Sequence, residues 1–139
     1  LLQSFKKRMY CILWLAVVAE HSGIYIGGSK IVHLDGDGEI ERVNFFKFLE
    51  RLDGFNPATK IYYSCDEKGK TIKNKEIANR AKSMVGRSRD YHVLLDNCHQ
   101  FTSGCITGNF ENTDNFMTFL KDTAQNQLGV KQWKTLKIK

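Results

Sequence analysis

Short apolar runs separated by glycine-rich turns occupy most of the chain, and this pattern predicts β-strands that pair with their sequence neighbours. The first run, residues 9–19, follows the basic residues Lys6-Lys7-Arg8 and so imitates a targeting segment. Its β-branched content and its direct lead into His21 favour a buried strand instead. It is too short to span a membrane, which takes about 20 residues. Further strands are predicted at residues 22–26, 30–35, 39–44, 60–65 and 91–95.

Apolar residues three and four positions apart predict helices between and after these strands. Asn44 is the expected cap of the first helix. Together, strands and helices predict an α+β fold with an antiparallel sheet. The helices are predicted over residues 45–53, over 74–85, from Asp96 or Asn97 onward, and from Thr113 onward. The last is expected to turn Phe116, Leu120, Ala124 and Leu128 inward and to end at Gly129.

The hairpin over residues 22–35 decides whether His21 and His33 lie on the same face of the sheet. They share a face when the residue numbers of two directly paired residues add to an even number. This requires a connection of odd length between the strands. A three-residue turn over residues 27–29 meets this requirement, with glycine supplying positive φ. We therefore expect Gly23 opposite His33, with His21 as its diagonal neighbour. A two-residue turn would place the histidines on opposite faces.

The length and composition of the chain predict a single domain over residues 1–139. With 42% hydrophobic residues and one proline, the chain can bury a core without disulfides or a metal. Its net charge of +6 favours anionic partners such as an acidic membrane surface. The basic residues are scattered rather than interleaved with aromatic residues, so nucleic acid is not an expected partner. Four cysteines without CxxC spacing favour a reducing, cytoplasmic compartment.

Cys98 has the sequence surroundings of a reactive thiol. It follows Asp96 and Asn97, either of which can cap a helix, so Cys98 is expected in the first helical turn. There the helix dipole favours a thiolate, and backbone N–H groups can hold an oxyanion. A thiol nucleophile also needs an imidazole as base and a polar group to orient that imidazole, which His21 and His33 can supply. The other cysteines, Cys11, Cys65 and Cys105, are expected to be inert packing residues.

The remaining histidines are weaker candidates. His99 is adjacent to Cys98, but neighbouring helical side chains diverge by about 100°, so it is not the expected base. His92 lies on the strand before the nucleophile and is more often a structural residue. Cys98, His99 and Cys105 lack zinc-ligand spacing, and residues 35–39 lack the helices of a calcium-binding loop. The sequence therefore predicts no metal and no cofactor.

These residues, in this order, resemble the lecithin:retinol acyltransferase-like family, a circularly permuted branch of the NlpC-type papain-fold superfamily. The family pattern is His-x-x-x-Tyr-x-Gly, a second His in a Val/Ile-His-Leu context, and a late Asn-Cys-x-x-Phe. The match spans roughly residues 20–105. It departs at His99-Gln100, where Glu-His commonly follows the cysteine in animal acyltransferases. The matching positions are His21, Tyr25, Gly27, His33, Leu34, Asn97, Cys98 and Phe101.

The resemblance implies a papain-like α+β domain with a thiol nucleophile. Cys98 would form an acyl-cysteine intermediate with His21 as base and His33 as its orienting partner, and lipid ester or amide bonds would be the substrates. Water as acceptor would make the protein a phospholipase-like hydrolase, and an amine or alcohol would make it an acyltransferase. The alternatives are an NlpC-type cysteine peptidase or amidase, and a non-catalytic binding module of the same fold.

The C-terminal residues 130–139 allow two interpretations. An apolar residue recurs at every third position, so Trp133 and Leu136 could enter a lipid interface while lysines meet anionic headgroups. A cytoplasmic protein peripheral to a membrane would follow. The alternative, which we prefer, is a terminal strand or loose end that covers the core.

Overall fold

The computed structural model describes residues 11–15, 21–49, 61–89 and 97–136, with the backbone alone for residues 11–15 and 49. The predicted strand at residues 91–95, His92 and the second half of the first predicted helix lie outside the described residues. The strands are β1 (Cys11–Leu15), β2 (His21–Gly27), β3 (Lys30–Leu34), β4 (Ile40–Val43), β5 (Ile61–Cys65) and β6 (Gln132–Leu136). The helices are α1 (Phe45–Leu49), α2 (Lys75–Met84), α3 (Cys98–Thr107) and α4 (Met117–Leu128).

The described strands join one antiparallel sheet in the order β4-β3-β2-β1-β5-β6. β1 lies inside this sheet, paired with β2 on one side and with β5 on the other. An interior strand suits the uninterrupted apolar sequence of this segment. The structure therefore confirms a strand within the run of residues 9–19, and it confirms an α+β fold with an antiparallel sheet.

The hairpin of β2 and β3 does not have the turn that the sequence predicts. Tyr25 pairs with Ile31, but Gly27 pairs with Lys30, so a β-bulge shifts the register between these two pairs. The turn itself has two residues, 28 and 29, rather than three. The bulge adds to β2 the residue that the shorter turn lacks. Before the bulge, the residue numbers of each pair therefore still add to an even number, as in the pair of Ile24 and Val32.

This even register keeps His21 and His33 on one face of the sheet. The prediction that a two-residue turn would separate them was wrong, because it assumed a ladder without a bulge. The backbone supplies the required twist through positive φ at Gly27 (88°), Gly28 (60°) and Ser29 (65°). Glycine occupies two of these three positions, which limits the strain of the left-handed conformation.

Both faces of the sheet are covered at β2 and β3. On one face Ile24 and Val32 belong to the main hydrophobic core, which includes side chains of α2, α3 and α4. On the other face lies α1, where Phe45 stacks on Tyr25 with 5.5 Å between ring centroids and Phe48 is fully buried. The two histidines lie on this second face, under α1.

Asparagine caps begin α1 and α2, and the cap at Asn44 is the one that the sequence predicts. The side-chain oxygen of Asn44 accepts a hydrogen bond from the N–H of Lys47 at 2.8 Å, and that of Asn74 accepts from Ile77 at 3.0 Å. Gly86, with a φ of 91°, follows the end of α2. The residues that α2 buries, Ile77, Ala78 and Ala81, belong to the predicted apolar stripe.

α4 begins later than predicted. Thr113 does not cap it; the helix begins at Met117, which is buried, while Phe116 is 51% exposed rather than inward. In the preceding loop the carbonyl of Asn115 accepts a hydrogen bond from the side-chain amide of Asn97 at 2.7 Å. The N–H of Phe119, which would bond to Asn115 in a longer helix, bonds to the carbonyl of Phe116 instead. The carbonyl of Asn115 is therefore not part of the helical ladder. As predicted, Leu120, Ala124 and Leu128 pack in the core and Gly129 follows the helix end.

Residues 132–136 form β6, which pairs with β5. Leu136 is buried and Trp133 packs against the main core. The terminal-strand interpretation is therefore the one found, and the two residues considered for lipid insertion are used in packing. In the ranges described, none of the helices has the length and apolar content needed to cross a membrane.

Gly23→Ala should destabilise the fold by about 1–3 kcal/mol through overpacking. An added Cβ would lie 2.9 Å from Cγ2 of Ile31, 3.0 Å from the carbonyl oxygen of Val32 and 3.1 Å from Cε1 of Phe48. Chemical denaturation measures the change. Gly28→Ala is the control, because nothing lies within 4 Å of the added carbon there, and it should lose about 1 kcal/mol from positive φ alone. An unchanged stability of Gly23→Ala would contradict the close packing of α1 on the histidine strands.

Candidate active site

Three polar side chains form a hydrogen-bonded chain across β2, β3 and β4. Nε2 of His21 lies 2.7 Å from Nδ1 of His33, and Nε2 of His33 lies 3.0 Å from Oε1 of Glu41. His21 and His33 are 1% and 2% exposed, whereas the Glu41 side chain is 37% exposed. The chain therefore connects a buried imidazole to a carboxylate that reaches solvent.

The strand register produces this arrangement. His33 and Glu41 are direct partners in the β3–β4 pair, and the even register of β2 and β3 makes His21 a diagonal neighbour of His33. Phe48 covers both rings, with centroid distances of 5.0 Å to His21 and 5.6 Å to His33. Gly23, two residues after His21, has no side chain, which leaves Phe48 the room to pack this closely. An apolar cover keeps water from the contact between the imidazoles.

The hydrogen bonds determine which ring nitrogens carry protons. An ionised carboxylate only accepts, so Glu41 takes its hydrogen bond from Nε2–H of His33. Nδ1 of a neutral His33 then has a lone pair and accepts from Nε2–H of His21. The basic nitrogen of His21 is in consequence Nδ1, which is also buried. This arrangement makes His21 suited to act as a general base.

Cys98 is the first residue of α3. Asn97 caps the helix, since its Oδ1 accepts from two first-turn N–H groups at 3.0 and 3.2 Å. Cys98 is only 4% exposed, and its carbonyl oxygen lies 3.4 Å from Oγ of Ser22, the residue that follows His21. The structure therefore brings the start of the cysteine helix beside the histidine end of β2.

The loop before α4 holds the start of α3 in place. The Asn97 side-chain amide donates to the carbonyl of Asn115 at 2.7 Å, and that of Gln100 donates to the carbonyl of Asn112 at 2.6 Å. The Asn112 side chain donates in return to the carbonyl of Gln100 at 3.1 Å. The N–H groups of His99 and Gln100 donate to this cap and are therefore not directed at an oxyanion. The sequence prediction that first-turn N–H groups hold an oxyanion does not apply to these two groups.

Two other cysteines lie in environments that disfavour a thiolate. Cys105 lies in the main core, and burial raises the pKa of its thiol strongly. Cys65 is also buried, and burial raises the pKa of its thiol as well. The side chain of Cys11 lies outside the described residues. Of the two, neither has the position at a helix start that distinguishes Cys98.

His99 is buried against β2. It is 6% exposed, and its Nδ1 lies 2.9 Å from Oγ of Ser22. Burial lowers the pKa of its imidazole from 6.5 to about 4, so the ring is neutral near pH 7. Its hydrogen bond is directed to the strand rather than along the His21–His33–Glu41 chain.

Glu41 is the site residue that sequence reasoning missed. The signal was the length of the connection between β3 and β4, which pairs Glu41 with His33. Asp35 shapes that connection, because its carboxylate accepts from the N–H groups of Asp37 and Glu39 at 2.9 Å each. A carboxylate in a predicted strand, opposite a histidine that needs a partner, was the available clue.

Acid should destabilise the protein through His99. Its pKa is about 4 in the folded protein against 6.5 ordinarily, so between these pH values the unfolded chain binds a proton that the folded protein does not. Stability therefore falls as the pH is lowered through this window, by up to about 3 kcal/mol, because one pKa unit corresponds to about 1.4 kcal/mol. The free energy of unfolding at about pH 7 and pH 4.5 measures the loss. His99→Asn, which does not titrate, should lose less, and equal losses would contradict a neutral buried ring.

The chain is similar to segments of viral polyproteins. The genome polyproteins of avian encephalomyelitis virus strains L2Z and Calnek vaccine are each 27% identical to it over 92 residues, and that of strain Van Reokel is 26% identical over 92 residues. These alignments cover 66% of this chain and 4% of each polyprotein. The chain therefore spans a small fraction of the length of the relatives it matches. No solved structure matches the chain.

A family model gives the broader comparison. The model described as lecithin retinol acyltransferase matches residues 9–111, which is more than half of the chain. The matched range contains the histidines of β2 and β3, their partner Glu41 and the cysteine that begins α3. The resemblance seen in the sequence is thus confirmed, and the chain belongs to the lecithin retinol acyltransferase family.

Proposed function

We propose that this protein is a thiol enzyme that transfers or hydrolyses acyl groups through an acyl-cysteine intermediate on Cys98. The observation that supports this most directly is the hydrogen-bonded chain His21–His33–Glu41. Ser22, the residue after His21, contacts the backbone carbonyl of Cys98. Packing alone does not require buried imidazoles, because burying polar groups is less favourable than burying apolar ones. Family membership supports acyl chemistry.

The first step is the transfer of the thiol proton. His21 takes it from Cys98 at Nδ1, the ring nitrogen that carries no proton when Nε2–H donates to His33. The charge that His21 acquires is stabilised by His33, which in turn donates to Glu41. The dipole of α3 favours the thiolate at the N-terminus of the helix.

The second step forms a thioester. The thiolate attacks the carbonyl carbon of an ester or amide, and the tetrahedral intermediate collapses by breaking the bond to the leaving alcohol or amine. The leaving group takes the proton from His21, and the acyl group stays on Cys98. An acceptor then attacks the thioester while His21 takes its proton, and the released thiolate recovers that proton. Water as acceptor gives a hydrolase, and an alcohol or amine gives an acyltransferase.

Lipid esters or amides are the substrate class that we propose, with a cytoplasmic location in contact with an anionic membrane surface. The family supports an acyl donor, and the net charge of +6 supports attraction to anionic lipid. We also propose that the fold is a circularly permuted, papain-like arrangement. In this order, the strands with His21 and His33 precede the helix with Cys98.

Incubation with vesicles of phosphatidylcholine and an anionic phospholipid should add one acyl group to Cys98. Intact-protein mass spectrometry and peptide mapping measure the adduct, and hydroxylamine should remove it because it is a thioester. Cys98→Ala should abolish the adduct while leaving the fold intact, since losing one sulfur atom at a helix start costs little stability. Cys105→Ala is the matched control, because it removes a buried thiol from the same helix and should leave acylation unchanged.

Three outcomes would change the proposal in different ways. Wild-type turnover by Cys98→Ala would show that the thiol is not the nucleophile. Acylation of Cys98 by a peptide or small amide, and not by lipid, would keep the mechanism and make the protein an amidase. If Cys98 reacts neither with lipid nor with amide substrates, nor with iodoacetamide, the protein would be a non-catalytic binding module.

Variants of the histidine chain should form a graded series in kcat. His21→Ala should lower kcat about 10²- to 10⁴-fold, nearly as much as loss of the thiol, because paired groups act as a unit. His33→Asn should be milder, since an amide can still orient the ring. Glu41→Leu should lower kcat about 10- to 100-fold, because a hydrogen bond to a charged group is worth about 1.5–3 kcal/mol. Glu41→Gln keeps an acceptor oxygen and should lose less.

The readout for this series is kcat and KM on the acyl donor identified by the acylation experiment. Unfolding midpoints of the same variants separate a lost catalytic group from a lost fold. Equal tolerance of changes at His21 and His33 would contradict the proposed roles and would direct attention to His92 or His99 as the base.

A further inference from the structure

The hydroxyl of Ser22 joins the histidine strand to the cysteine helix. Ser22 is fully buried, and its Oγ lies 2.9 Å from Nδ1 of His99, 2.9 Å from Oγ1 of Thr102 and 3.4 Å from the carbonyl oxygen of Cys98. Oγ1 of Thr102 lies 2.9 Å from the same carbonyl oxygen. One side chain of β2 therefore meets three residues near the start of α3.

One arrangement of protons satisfies the three shorter contacts of this network. Thr102 donates to the carbonyl of Cys98, Ser22 donates to Thr102, and a neutral His99 donates from Nδ1 to Ser22. The ring is neutral because burial lowers its pKa to about 4. Each hydroxyl hydrogen then has an acceptor, and the network ends on the backbone of the cysteine itself.

We propose that Ser22 and His99 are positioning residues of the active site. Their hydrogen bond locks α3 onto β2 and thereby sets the distance between the thiol of Cys98 and the ring of His21. This inference rests on the proposed function, since it concerns the two groups that would exchange the thiol proton.

A hydrogen-bonded network is not the simplest way to fill this interface. A buried hydrogen bond contributes about 0.5–1.5 kcal/mol net, so an apolar pair of the same shape can stabilise the interface as well. The hydrogen bonds add direction, because apolar side chains would allow α3 to slide along the strand and bonds of 2.9 Å do not. A displacement of about 1 Å between reacting groups can lower a rate about 100-fold.

The two positioning residues lie next to the two reacting ones in the chain. Ser22 follows His21 and His99 follows Cys98, so each is one peptide bond away from a reacting residue. Successive side chains of a strand point to opposite faces, which directs Ser22 toward α3 and His21 toward α1. The network can therefore fix the backbone on both sides without occupying the space between thiol and imidazole.

The test uses variants of the whole chain and needs no acyl substrate. Ser22→Ala and His99→Leu each leave one buried partner without its hydrogen bond, the double variant removes both partners, and His99→Asn keeps a donor near the position of Nδ1. Chemical denaturation gives the free energy of unfolding of each protein. The rate at which iodoacetamide alkylates Cys98, followed against pH by peptide mapping, reports the fraction of thiolate. His21→Ala shows how much of that fraction depends on the imidazole.

The double variant should recover stability without recovering the reactivity of Cys98. Each single variant should be less stable than the wild type, and the double variant should recover much of the loss because no buried partner remains unpaired. Alkylation near neutral pH should fall about tenfold in Ser22→Ala, in His99→Leu and in the double variant, with the pH midpoint rising toward about 8.5, that of an ordinary thiol. His99→Asn should keep the wild-type profile.

Recovery of the alkylation profile together with stability in the double variant would overturn the inference, because the network would then only pack. A loss in His99→Asn as large as that in His99→Leu would also overturn it and give His99 a direct role in proton transfer. Should one single variant fail to fold, the double variant and His99→Asn still decide. A wild-type Cys98 that alkylates like a free cysteine, with no effect of His21→Ala, would instead reject the proposed function and this inference with it.

Discussion

The contact between the imidazoles of His21 and His33 is the interaction on which the arrangement of β2, β3 and β4 depends. Two rings exposed by only 1% and 2% are tolerable when their nitrogens are hydrogen-bonded, and the 2.7 Å contact engages one nitrogen of each. Glu41 engages the second nitrogen of His33. A shift of one residue in either hairpin would turn one of the three side chains to the opposite face. Because the turn has only two residues, the bulge before Gly28 is what keeps the histidines on one face.

β2 serves two parts of the candidate site because its side chains alternate. Its odd-numbered residues near the histidine end lie under α1, where an apolar cover excludes water, and its even-numbered ones face α3. α3 is buried over nearly its whole length, although a helix buried all round is usually apolar. Its buried polar residues instead bind to β2 and to the loop before α4, which fixes the helix start in two directions. These residues are His99, Gln100, Thr102 and Ser103.

Most helices and strands could be predicted from the sequence because helix caps and apolar periodicity involve residues that are close together in the chain. Asn44 and Asn74 precede apolar periodicity, and each proves to be a cap with a side-chain hydrogen bond. The predicted start of α4 was wrong for the opposite reason. The loop before α4 is hydrogen-bonded at Asn115 to Asn97, which lies 18 residues earlier in the chain. Glu41 was missed because its partner is defined by the pairing of strands and not by any motif.

The sequence by itself determined the family of the chain and the start of the helix that carries Cys98. The spacing of the histidine and cysteine motifs indicated the family, and the residue before Cys98 indicated a helix start, since both are read from neighbouring positions. Only the tertiary structure decided the partners. The bulge that keeps the histidines on one face, the carboxylate behind His33 and the hydroxyl of Ser22 against α3 all depend on contacts between segments far apart in the chain. Sequence patterns record the local preferences of the backbone, whereas the register and packing of separate segments are set by the burial that they share.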